Sequence, residues 1–208
     1  LYSSGIADGH DGRWQDAKQK LSEALQLAPE KSKYWHRTAY RLSFLLAYTG
    51  ELDRYDQLCK KTMSDFGNTE LPSQAERTVK MCLFLSHVAV DVEEVGRLAD
   101  RAYARADEAG TFSWGRDVPY QPYLALAKGI ADIRREQFES AIEALESAED
   151  FSELDLYGAC MRDIYLATAY ARTGQHERSI KRMAAADEVI GEEFSADNLP
   201  VGTWSDWI

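Results

Sequence analysis

The chain has 208 residues, of which 45% are apolar, 28% charged and 11% aromatic, a balance that excludes a disordered tail, a collagenous segment and a low-complexity linker. The formal net charge is −11; residues 136–208 hold 5 Lys/Arg against 16 Asp/Glu, and residues 1–135 hold 19 of each. An acidic chain repels phosphate backbones and anionic lipid, so neither nucleic acid nor a membrane surface is an expected partner.

The spacing of apolar residues predicts helices in pairs along the whole chain. In a first unit, residues 1–30, Leu1–Asp8 reads as the end of a helix. A turn at Gly12 follows, then a stripe of Trp14, Ala17, Leu21, Ala24 and Leu25 that stops at Ala28-Pro29. A second unit, 31–67, has a helix over Tyr34–Tyr48, a turn at Gly50, and a stripe of Tyr55, Cys59 and Thr62. The third, 68–110, is degenerate: Ser73–Leu85, then Asp91–Ala109 with Val92, Val95, Leu98, Ala99, Ala102, Tyr103 and Ala106. Ser73 with Glu76, and Asp91 with Glu94, have capping-box spacing and predict the two helix starts. The fourth unit, 117–150, carries a helix over Pro122–Arg135, a turn at Glu136, and Phe138, Ala141, Ile142, Leu145 and Ala148. The fifth, 152–190, carries Cys160–Arg172, a turn at Gly174, and Ile180, Met183 and Ala186. Residues 191–208 are a tail in which Trp204, Trp207 and Ile208 read as the start of a capping helix. The chain also starts mid-helix, so more chain, or at the bare end a partner, is expected.

These units repeat. Gly12 and Gly50 are 38 residues apart, Glu136 and Gly174 are again 38 apart, and the 86 residues between Gly50 and Glu136 hold two units. Seven positions before each turn stands a small residue: Gly5, Ser43, Gly129 or Ala167. Turn, aromatic, small, large and small residues at these offsets resemble tetratricopeptide (TPR) repeats. The resemblance implies an all-α fold, a right-handed α-α superhelix of about five helix pairs, which binds protein or peptide and needs no cofactor. A finer resemblance lies in Ala75–Leu85, Leu98–Ala102 and Pro122–Arg135, which are similar to helical arrays C-terminal to the catalytic domain of some bacterial serine/threonine kinases. It implies a regulatory or substrate-docking region that touches other domains of a longer chain.

Residues of catalytic type do not converge in the sequence. Asp65-Phe66-Gly67 and Ala28-Pro29-Glu30 match two kinase signatures, but in reversed order and with no glycine-rich loop or catalytic-loop motif. Both fall at helix ends, where Gly67 is expected as a C′ residue and Pro29 as a stop. His10, His36, His87 and His176 lie in separate units, and neither CxxC nor HExxH occurs, so no metal site is expected. His176 is expected to pack in the turn-proximal column. Cys59, Cys82 and Cys160 are sparse and odd in number, which suits a reducing, cytoplasmic compartment and small core thiols. No enzymatic activity is expected.

If the first helix of each unit lines a concave groove, as the resemblance implies, the inward columns are Arg37, Tyr40, Phe44 and Tyr48 in the second unit. The fourth contributes Tyr123, Leu126, Ile130 and Arg134, and the fifth Met161, Ile164, Thr168 and Arg172. Tyr2, Ile6 and His10 remain in the first, and Lys80 and Phe84 fill the third. Such a groove is aromatic and apolar with arginines at its rim, suited to apolar anchors and carboxylates of a peptide.

Overall fold

A computed structural model describes residues 1–87, 89–108, 110–113, 117–148 and 156–193. Among them run α1 (Tyr2–His10), α2 (Trp14–Leu27), α3 (Lys33–Tyr48), α4 (Leu52–Phe66), α5 (Pro72–Leu83), α6 (Val92–Tyr103), α7 (Gln121–Arg134), α8 (Phe138–Glu146), α9 (Leu156–Arg172) and α10 (His176–Glu193). Each helix packs on the next, and α3, α5, α7 and α9 also touch one another in a row, so the odd helices form one layer and the even helices a second. This is a TPR-like α-α solenoid. The tail segment 194–208, with its expected capping helix, lies outside the described residues.

The turns explain why the repeat was readable. Gly12, Gly50, Glu136 and Gly174 all have positive φ, at 72°, 74°, 60° and 76°. In each case the next residue donates its N–H to the carbonyl five residues earlier: Arg13 to Asp8, Glu51 to Leu46, Gln137 to Asp132 and Gln175 to Tyr170, all at 2.8 Å. That is one left-handed helix closure used four times, and it satisfies carbonyls that the helix end would otherwise orphan. Glu136 adopts the conformation without a glycine's freedom, at a cost of about 1 kcal/mol. The small residues seven positions upstream have an equally local reason. A Cβ on Gly129 would stand 2.3 Å from Leu145 Cγ, and one on Gly5 3.0 Å from Leu21 Cγ, so in these pairs the second helix presses a leucine into the gap in the first.

The third pair departs from this pattern. Its helices are joined by residues 84–91 rather than a tight turn. Asp91 caps α6 as expected, its carboxylate accepting from the Glu93 N–H at 2.9 Å. Ser73 does not cap α5: the helix starts at Pro72 with Leu71 as N-cap, because a proline at the first helical position presets φ and needs no partner for an N–H. After α6 come a 3-10 turn, Ala106–Glu108, and a hairpin of β1 (Thr111–Ser113) and β2 (Asp117–Pro119), antiparallel with Phe112 opposite Val118. Three residues a side are too few to show alternation, so the sequence leaves this hairpin unmarked.

The kinase-like strings are structural. α4 ends at Phe66, which stacks on Trp35 with centroids 6.0 Å apart and tilts against His36 at 4.6 Å. Gly67 has φ −60°, not the left-handed value expected of a C′ glycine. It is tight because a Cβ would meet the Met63 carbonyl at 2.5 Å. α2 ends before Pro29 as expected. His176 is the exposed first residue of α10 rather than packed.

Candidate functional site

The odd helices bring aromatic and cationic side chains together in a row. Arg37 of α3 lies over the Tyr2 ring of α1 at 5.5 Å. On α5, Arg77 and Lys80 approach the Tyr40 ring at 5.9 and 5.6 Å, and Lys80 is equally 5.6 Å from Tyr123 of α7. Beside this line, Phe44 meets Tyr40 edge-on at 5.2 Å and Phe84 at 4.8 Å. A cation over an aromatic face is held by the ring quadrupole, so the row is a ladder whose rungs cross from helix to helix. Glu76 is its one carboxylate, 2.6 Å from Lys80 and one helical turn before it. Burial pulls the Lys80 ammonium down, but Glu76 and Tyr40 outweigh it and hold the group above its usual range. Burial raises the Tyr40 phenol.

The predicted groove residues divide. Arg37, Phe44, Tyr123 and Met161 retain accessible surface on the odd helices, as do Ile164 and Thr168, and Lys80 and Phe84 join them from the third unit. Tyr40 and Ile130 do not: at 3% and 1% exposure they belong to the core between neighbouring pairs. Their columns face the adjacent odd helix, whose distance depends on the superhelical angle and not on the repeat pattern. Leu126 is buried for the same reason. Tyr48 is well exposed but packs edge-on against Trp14 of α2 at 5.5 Å, at the end of the layers where the turns lie. Arg172, also at that end, sits 5.1 Å over Phe138 and 3.7 Å from Glu136.

Arg134 has a different occupation. Its guanidinium donates to the Leu83 carbonyl from Nε at 3.2 Å and Nη2 at 3.0 Å, and from Nη2 to the Phe84 carbonyl at 3.3 Å. It thus closes the end of α5, which has no left-handed turn of its own. Tyr55 of α4 donates its hydroxyl to the Met81 carbonyl of the same helix end, beside the Cys59 thiol. Sequence spacing placed Arg134 in the groove and Tyr55 only in the stripe of the second unit; the lack of a glycine after α5 was the available signal for both.

Charge is segregated between the layers. The odd helices carry nine Lys/Arg and four Asp/Glu, whereas the even helices carry ten and sixteen. The even-helix layer is therefore net acidic, and the layer with the aromatic ladder is net positive. Several cations and acids are also used internally. Lys128 and Arg135 both bridge Asp132, which is fully buried, and Asp100 of α6. Among the described residues no cluster of three or more His, Cys, Asp or Glu is placed to hold a metal, and no helix is long and apolar enough to cross a membrane.

No protein-family model and no curated protein matches the chain. Solved structures do. A putative kinesin light chain of Podosopora anserina with nearly identical TPR-like repeats superposes with a TM-score of 0.58 at 12% identity, over 93% of this chain and 94% of that one. MamA of AMB-1 matches at 0.52 and 15% identity, over 93% of this chain and 98% of that one. MamA from residue 41 onward of Desulfovibrio magneticus RS-1 matches at 0.51 and 16%, over 93% and 94%. Identities this low carry likeness of fold alone. With four identical turn closures, a layered row of helix pairs and these matches over nearly its full length, the chain is a TPR-like helical-repeat protein.

Proposed function

We propose that the chain is a non-catalytic protein-interaction scaffold whose odd-helix face holds an extended segment of a partner protein, and that this segment is acidic with apolar anchors. The observation that carries the reading is the aromatic–cation ladder of Tyr2, Arg37, Lys80 and Tyr123 on a layer of net positive charge in an acidic protein. Aromatic surface gives apolar anchors a place to bury, and the surrounding cations favour carboxylates and steer their approach. Arg37, Phe44, Tyr123 and Met161 are the contact residues, with Phe84 and Lys80. Three free, buried thiols suit a reducing cytoplasmic setting.

The test is fluorescence anisotropy with two labelled peptides of equal apolar content, one rich in Asp/Glu and one in Lys/Arg. The acidic peptide is expected to bind, more weakly as salt rises, and to be released by the double variant Arg37→Glu, Phe84→Ala with unchanged circular dichroism. Equal binding of both peptides, or a variant that binds as well as wild type, overturns the reading.

A second reading rests on the kinase-array resemblance of Ala75–Leu85, Leu98–Ala102 and Pro122–Arg135. In it the same face docks a substrate, or another part of its own chain, in a bacterial serine/threonine kinase. Coding sequence upstream with the kinase motifs in their proper order supports it, and an upstream region without them removes it.

A further inference from the structure

The outer face of α10 differs from its repeat equivalents. Ile180 stands where Ile142 stands in α8, Met183 where Leu145 stands, and Ile190 where Phe66 stands in α4, counted from the Gly174, Glu136 and Gly50 turns. Ile142, Leu145 and Phe66 are 9%, 0% and 4% exposed, whereas Ile180, Met183 and Ile190 are 70%, 40% and 40% exposed. α8 is covered by α9, and no described helix follows α10 to cover it in turn. The three side chains, with exposed Ala184, fall on one stripe of the helix at i, i+3, i+4 and i+10, with exposed Asp187 at i+7 among them.

The charges along α10 run against the helix dipole, with Arg178 and Arg182 on the opposite face, paired to Glu146 and Asp163. The first nine residues of α10 hold Arg178, Lys181 and Arg182 with one acid, Glu177; the last nine hold Asp187, Glu188, Glu192 and Glu193 with no cation. A helix by itself favours acids at its N-terminus and bases at its C-terminus, as α6 has them with Glu93 and Glu94 first and Arg101 last. The reversed order suits a neighbouring helix that runs the opposite way. On the open flank, Lys181 and Glu188 have no ion-pair partner among the described residues.

We propose that α10 is the dimer contact of this protein, pairing antiparallel with α10 of a second copy about a two-fold axis that passes between Ala184 and Ala185. In that arrangement Lys181 of each copy faces Glu188 of the other, Ile180 packs beside Ile190 of the other, and the alanines at the axis let the helices approach. The contact is isologous, so it closes at two copies and does not grow into a filament. It uses α10 alone and leaves the odd-helix face free, so it stands or falls independently of the peptide-binding reading.

The test is sedimentation equilibrium of the full chain over a micromolar concentration series. Wild type is expected to pass from monomer to dimer. Ile180→Asp abolishes the dimer, and Lys181→Glu or Glu188→Lys alone weakens it roughly tenfold or more, since each reversal sets two like-charged pairs face to face. An equimolar mixture of the two single reversals restores association as a heterodimer, a result that general destabilisation does not produce. A wild type that stays monomeric throughout overturns the proposal, as does a mixture that associates no better than its components. A monomeric wild type whose melting temperature falls with Ile180→Asp assigns the face to the chain's own residues 194–208 and likewise overturns it.

Discussion

The pair α7–α8 and the pair α5–α6 occupy the same architecture and end their first helices by opposite means. α7 stops in a left-handed residue, Glu136, whose neighbour Gln137 closes the helix backbone on itself at Asp132. α5 stops with no such residue, and its last carbonyls accept from side chains that belong to other units: Tyr55 of α4 and Arg134 of α7. Further back, His36 of α3 reaches the same helix through Thr78, its Nε2 3.0 Å from the Thr78 hydroxyl. Backbone orphans can thus be satisfied within four or five residues of sequence or from fifty residues away, at similar helix length. Only the first solution leaves a motif.

The strongest way to break the comparison is to remove the distant donor. Arg134→Met keeps the apolar stem and deletes the guanidinium, leaving the Leu83 and Phe84 carbonyls to find water; the expected loss is about 3 kcal/mol. Chemical denaturation measures it, and hydrogen exchange should show α5 deprotected well beyond α7. A variant as stable as wild type would mean that solvent already serves those carbonyls.

The next effect is on the His36 link. Burial, with the Arg77 charge added to it, pushes this imidazole down to about 4. The unfolded chain titrates near 6.5, so below that pH it binds a proton that the folded chain refuses. Stability is therefore full above pH 6.5 and falls as the pH drops toward 4, by about 2 kcal/mol between pH 7 and 5. The difference in unfolding free energy between wild type and His36→Gln, followed over that range, isolates the contribution; a constant difference would remove it.

The smallest expected effect sharpens the regular half. Glu136→Gly relieves a side chain held at φ 60°, while Gly50→Ala imposes the same strain where none exists, so the two should shift stability by about 1 kcal/mol in opposite directions. Thermal melts of both variants suffice, and equal signs would deny that the two turns are equivalent.

This contrast also marks what the sequence disclosed. Gly12, Gly50 and Gly174, the small residues opposite Leu21 and Leu145, and the stripe of each second helix were legible because their causes act within about ten residues of chain. The aromatic and cationic character of the odd helices was legible for a like reason, since Arg37, Phe44 and Tyr123 fall in fixed helical columns. Whether a column faces solvent was not: Tyr40 and Ile130 are closed off by the next pair, and the angle between pairs is a property of packing. The pairing of Lys80 with two tyrosines from two other helices, and the employment of Arg134 as a helix closure, depend on that same angle. The hairpin at 111–119 was too short to leave a period.

The helix end held by foreign side chains changes how the solenoid comes apart. A unit closed by its own backbone can detach from an end of the array and leave the next unit intact, as in nearest-neighbour descriptions of repeat proteins. The third unit has no such independence, since its first helix borrows from α4 on one side and α7 on the other. The second, third and fourth units therefore melt as one cooperative block. The terminal pairs, α1–α2 and α9–α10, can fray separately, and with the second goes α10, whose Ile180, Met183 and Ile190 stand exposed.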